Sequence, residues 1–156
     1  MSLRDEVEKL IQAEQSKLEV RDGKQAEYHE TQRARFAPIK QILEKITSPI
    51  DAKYIDLCIS DDKARISLGY HSKDLHWTIE PDFEVRFSAA SDESLFVAKE
   101  GFRLEEIRYH HDGGVSESRK EFGNEQALIE YLVNEIVREV TQYRRLEAMR
   151  AAKSRD

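Results

Sequence analysis

The sequence predicts an α+β fold, an antiparallel β-meander of about six or seven strands flanked by N-terminal helices (one long or two) and a long C-terminal helix packed on one face. Three observations carry the prediction. Short runs of alternating apolar and polar residues fill the stretch from Lys53 to Phe122. Segments with apolar residues at three- and four-residue spacings bracket it on both sides. The turns between the alternating runs are too short for the crossover that parallel pairing requires, so neighbouring strands must be antiparallel. The chain reads as one domain spanning 1–156, with a helical segment at 1–48, a sheet at 53–122 and a C-terminal helix at 124–152.

The first helical stretch places Leu3, Val7, Leu10, Ile11 and Leu18 on one stripe. Between Arg21 and Arg35 that stripe nearly vanishes, leaving Ala26, Tyr28 and Ala34 among polar residues. It returns as Phe36, Ile39, Ile42, Leu43 and Ile46 and stops at Ser48-Pro49, because the residue before proline is pushed out of the helical region. Asp22-Gly23 offers a break, since glycine weakens a helix interior. Pro38 could start a turn or kink one. Two helices, near 3–21 and 25–47, are therefore expected, against the alternative of one long helix with a polar waist.

Strand one carries Ile55, Leu57 and Ile59 on one face, with Asp56 and Cys58 opposite. After Asp61-Asp62-Lys63 the next face is Ile66, Leu68 and Tyr70, followed by a turn at His71-Ser72-Lys73-Asp74 and then Leu75, Trp77 and Ile79. Pro81-Asp82 reads as a break before Phe83, Val85 and Phe87. Ser91-Asp92-Glu93 precedes Leu95 to Ala98, and Glu100-Gly101 precedes Phe102 and Leu104. Ile107 and Tyr109 have the opposite parity to Leu104, which predicts a bulge near Glu105-Glu106. Asp112-Gly113-Gly114 closes a hairpin into a polar last strand ending at Phe122. Asn124 then caps the final helix, whose stripe is Leu128, Leu132, Ile136, Val140, Tyr143 and Met149, widened by Ile129, Val137 and Leu146.

Composition narrows the function classes. The chain is 39% apolar and 36% charged, which suits long solvated helices on a modest core. Its net charge of −6 falls entirely in 49–123, where ten basic side chains face sixteen acidic ones. An acidic sheet repels phosphate, so nucleic acid is not the expected partner. No apolar run is long enough to cross a bilayer, and no membrane partner is expected. The lone Cys58 cannot form an internal disulfide, which points to a reducing, cytoplasmic home.

Candidate chemistry is sparse. Tyr109-His110-His111-Asp112-Gly113-Gly114 has metal-ligand side chains, but adjacent strand residues point to opposite faces and Asp-Gly-Gly is what a tight turn requires. A metal would need His71 or His76 nearby, so no metal and no cofactor are expected. The polar sheet face offers Cys58, Ser67, His76, Thr78, Glu80, Glu84, Arg86 and Ser88 as a solvated surface or a shallow groove. Cys58 lacks an activating signature, no Gly-x-Ser-x-Gly elbow or phosphate loop exists, and no catalytic residue is assigned. Arg144, Arg145, Arg150, Lys153 and Arg155 form a basic helix end that complements the helix dipole, with nucleic-acid binding as a third-ranked alternative.

The expected function is a non-catalytic protein-interaction module, homodimeric, that binds a protein partner through a helix face or the open sheet face. The candidate interface residues are Leu3, Val7, Leu10, Ile11 and Leu18, an apolar stripe separated from the core by the polar waist. Folding back onto Leu146 and Met149 would satisfy the same stripe. The alternative is a small enzyme or ligand-binding protein with a pocket between sheet and helices. There Trp77, Tyr70, Phe87 and Tyr109 would supply the walls, and His76, Glu80 and Arg86 the polarity.

Overall fold

A computed structural model describes residues 2–70, 74–87 and 94–155. The chain runs α1 (Leu3–Thr47), β1 (Ile55–Ile59), β2 (Ala64–Leu68), β3 (Leu75–Phe87), β4 (Ser94–Tyr109), β5 (Val115–Phe122) and α2 (Glu125–Arg155). The strands form one antiparallel sheet in the order β1-β2-β3-β4-β5, a meander with helices at either end.

Among the described residues the strand count is five, not six or seven, because two expected breaks lie inside strands. Pro81-Asp82 does not end β3, and Glu100-Gly101 does not end β4. Pairing passes from Pro81 opposite Phe102 to Phe83 opposite Ala98, so one residue of β3 is set against three of β4. This bulge absorbs the irregular sequence on both strands. Gly101 has φ 90° there, and a Cβ on it would collide with the Phe122 carbonyl oxygen.

No bulge lies at Glu105-Glu106, where the register with β3 and β5 is unbroken. The apparent change of phase has another cause. Glu106 and Arg108 occupy positions on the helix-covered face, where Glu106 accepts a bond from Trp77 Nε1 at 2.9 Å and Arg108 bonds Glu139 at 2.8 Å. Polar residues with partners there mimic a parity slip.

The N-terminal segment is one helix of 45 residues rather than two. Ser2 caps it, its Oγ accepting from the Asp5 amide at 3.4 Å. Gly23 and Pro38 both lie inside the helix on exposed positions, and Ala34, whose carbonyl Pro38 cannot bond, is itself exposed. At 1.5 Å per residue α1 is about 67 Å long, far longer than the sheet it packs on.

One hydrophobic core joins both helices to the same sheet face. Phe36, Ile39 and Leu43 of α1 and Leu128, Leu132 and Ile136 of α2 meet Ile66, Leu68, Leu75, Trp77, Ile79 and Leu104, all buried. Full burial of each such side chain is worth about 1.5–3 kcal/mol. The opposite sheet face is wet at Asp56, Cys58, Arg65 and Glu105. Val137, Leu146 and Met149, expected on the inner stripe of α2, are exposed.

Candidate interaction surface

The N-terminal third of α1 is open to solvent. Every described residue from Ser2 to Val20 is exposed, with Leu3 at 79% and Leu10 at 67%. Leu3, Val7 and Leu10 precede Ile39, Leu43 and Ile46 by 36 residues, which at 3.6 per turn is about ten turns. Leu18 precedes Phe36 by 18 residues, about five turns. The exposed stripe and the buried stripe are therefore one meridian of one helix, covered by sheet at one end and bare for about 27 Å at the other. Because α1 does not turn at Asp22-Gly23, the stripe is not folded back onto Leu146 and Met149.

The polar waist between these halves is a crossing point. Tyr28 lies 5.8 Å from Phe96 and 6.5 Å from Phe83, ring centre to ring centre, where the far ends of β3 and β4 reach along the helix. Gln32, on the core meridian and buried, donates to the Pro81 carbonyl at 3.3 Å. Arg35 donates to the Gly101 and Asp82 carbonyls. Burial lowers the Arg35 pKa, against the pull of Asp82. The waist thus satisfies carbonyls that the bulge frees from the ladder. A cleft of about 240 Å³ opens beside it, floored by Tyr28, Phe83 and Phe96 and rimmed by Arg21, Lys24 and Asp62.

A second cleft, of about 280 Å³, lies between α2 and the turns that follow β2 and β4, with Tyr70, Arg108, Tyr109, Glu139, Tyr143 and Glu147 among its walls. Several of its polar groups are paired. Glu147 accepts from Tyr54, from Lys53 at 3.0 Å and from Tyr70 at 3.3 Å, and the Tyr54 bond does most to hold its pKa low. Tyr143 donates to Glu139 at 3.0 Å, while burial and that carboxylate push its pKa up.

Of the residues predicted to line a ligand pocket, Tyr70 and Tyr109 share the second cleft and His76 packs against Tyr109, while the others lie apart. Trp77 is fully buried in the core. Tyr70 sits at the second cleft, with the Arg150 guanidinium 5.9 Å from its ring centre. His76 lies on the wet face, its Nδ1 2.7 Å from Ser67 Oγ and its ring edge-on to Tyr109 at 5.6 Å. Glu80 stands 3.8 Å from Arg103. Arg86 and Phe87 are exposed near the end of β3, Arg86 pairing with Glu84 at 3.4 Å. The space between sheet and helices is filled by side chains.

The remaining candidates take plain structural roles. Asp112 accepts from the Gly114 amide at 2.9 Å, Gly113 has φ 90°, and His110 meets Ser116 across the hairpin. No cluster of metal-ligating residues occurs among the described residues; His71 and Ser88 lie outside them. Cys58 is exposed and points at Asp56 at 3.8 Å. No helix among the described residues is long and apolar enough to cross a membrane.

Sequence reasoning passed over Tyr28, Gln32 and Arg35, and the ion cluster that joins Glu80 to the buried Arg103 and Asp82. A signal existed for the first set, since Gln32 and Tyr28 continue the Phe36–Leu43 meridian. None existed for the cluster, which depends on the bulge. Comparison with known protein families, with curated proteins and with solved structures finds no match to this chain.

Proposed function

We propose that this chain is a non-catalytic protein-interaction module whose working surface is the bare N-terminal third of α1. One observation carries the reading: the apolar meridian that builds the core continues, uncovered, through Leu18, Ile11, Leu10, Val7 and Leu3. An 18-residue helix without tertiary contacts is marginal in water, and most helical stability in proteins comes from packing an amphipathic face. A protein partner on this stripe supplies that packing. The filled space beneath the sheet and the scattered candidate ligands weigh against a pocket enzyme. An exposed lone thiol at Cys58 suits a reducing, cytoplasmic setting.

Site-specific photo-crosslinking of the full chain in cells tests the reading. A benzophenone side chain at position 10, replacing Leu10, is expected to give a protein adduct. The same group at position 12, replacing Gln12 on the opposite helix face, is expected to give none. No adduct from position 10, or equal adducts from both, overturns it.

A further inference from the structure

We infer that the occupant of the α1 stripe is a second copy of this chain, packed antiparallel about a two-fold axis between Leu10 and Ile11. The inference rests on the docking role proposed above and names its partner. The stripe is self-complementary about that point. Leu3 lies seven residues before Leu10, and Leu18 seven after Ile11, so an antiparallel copy sets Leu3 against Leu18 and Leu10 against Ile11, twice each. About four and a half turns of helix then bury every large apolar residue of the stripe, with Val7 facing the aliphatic stem of Glu14.

Charge selects the direction. Glu14 lies on the centre of the meridian, and a parallel, in-register pair would set Glu14 directly against Glu14 of the other copy. The antiparallel pair separates these carboxylates. Glu14 also has a neutralising neighbour, with Lys17 Nζ at 3.7 Å. At 100° per residue Glu6 and Lys17 fall on the same flank of the stripe. Like flanks meet across an antiparallel dyad, so Glu6 of each copy approaches Lys17 of the other. The geometry also leaves room. From the dyad to Tyr28, where β3 and β4 reach the helix, is about 26 Å along α1, so the two bodies stand at opposite ends of the seam.

Sedimentation equilibrium of the purified full chain is expected to give twice the 18.2 kDa chain mass. Leu10→Asp with Ile11→Asp is expected to give the single mass with an unchanged near-ultraviolet spectrum, because both residues are exposed in the protomer. Glu6→Lys is expected to weaken association about two- to fivefold, and adding Lys17→Glu to restore it. Orientation is read in a Cys58→Ser background. Leu3→Cys with Leu18→Cys should oxidise to a covalent dimer, whereas Leu18→Cys alone should not, its two thiols lying about 22 Å apart. A monomer at 100 µM, or a covalent dimer from Leu18→Cys alone, overturns the inference. The crosslinking adduct separates this from the parent reading. An adduct to a different protein overturns self-pairing and leaves protein docking standing, while absence of any adduct defeats both.

Discussion

Arg103 places its guanidinium 3.2 Å from the Asp82 carboxylate and 4.1 Å from the centre of the Phe83 ring. Both charged side chains are almost wholly buried, at 8% and 7% exposure. Arg103 also donates to the Phe83 carbonyl at 2.9 Å, and Asp82 accepts from the Phe83 amide at 2.9 Å. The pair therefore pins the irregular crossing of β3 and β4 on which α1 rests. Removing one member strands the other charge in a dry site, at a cost of about 3–5 kcal/mol. Asp82→Ala should lose about that much in guanidinium chloride unfolding followed by Trp77 fluorescence. Asp82→Asn, which keeps an acceptor for the Phe83 amide, should lose less. Equal, small losses for both would mean the pair is not what holds the bulge.

Glu80 gives a pH signature at the same place. Burial raises its pKa, and the attraction of Arg103 offsets this only in part. The folded state then holds the proton more tightly than the unfolded one. The stabilisation is full below the ordinary carboxylate pKa of 4.5 and is lost as pH rises through the raised folded value. The stability of the parent chain minus that of Glu80→Gln should accordingly fall with rising pH across that window. A difference that grows with pH would mean that the Arg103 attraction outweighs burial.

Two glycines should behave oppositely. Gly101 combines φ 90° with a Cβ position blocked by the Phe122 carbonyl, so Gly101→Ala requires the β4–β5 pairing to shift. A loss of about 2–4 kcal/mol in global stability is expected. At Gly23 a Cβ meets open space inside a helix, and Gly23→Ala should strengthen α1 locally by about 0.5–1 kcal/mol. Amide hydrogen exchange near residue 23 reads that gain, because denaturation of the core does not report it. Slower exchange is expected, and faster exchange would show that α1 needs flexibility at its waist.

The parts legible in advance were those written in local periodicity. The helix brackets, the one-sided sheet and the inward residues of β1, β2 and the first half of β3 follow from spacings of two and of three to four, whereas Val85 and Phe87, expected on the same apolar face, are exposed. The breaks failed where tertiary context overrode a local rule. Pro81-Asp82 is a turn signal by composition, yet Asp82 gains Arg103 as a partner and the strand continues through a bulge. Gly23 is a helix breaker by propensity, but a single glycine costs a helix only about 1 kcal/mol, and α1 runs on through it. The stripe of Leu3 to Leu18 could be read from spacing alone. Its alignment with the core meridian could not, because that required knowing that the helix is unbroken.

That alignment makes a last contrast testable. Leu104 and Leu10 are the same residue type on apolar faces, one fully buried under both helices and one 67% exposed. Leu104→Ala removes packed methyl groups and leaves a cavity, so unfolding should lose about 2–5 kcal/mol at every protein concentration. Leu10→Ala removes nothing the protomer uses, and its stability in dilute solution should stay within about 0.5 kcal/mol of the parent. Association is linked to folding by mass action, so the parent Tm should rise with protein concentration and that rise should shrink in Leu10→Ala. Thermal unfolding across a hundredfold concentration range separates the two effects. A parent Tm independent of concentration, with Leu10→Ala losing as much as Leu104→Ala, would place Leu10 in the protomer's own core rather than at a seam.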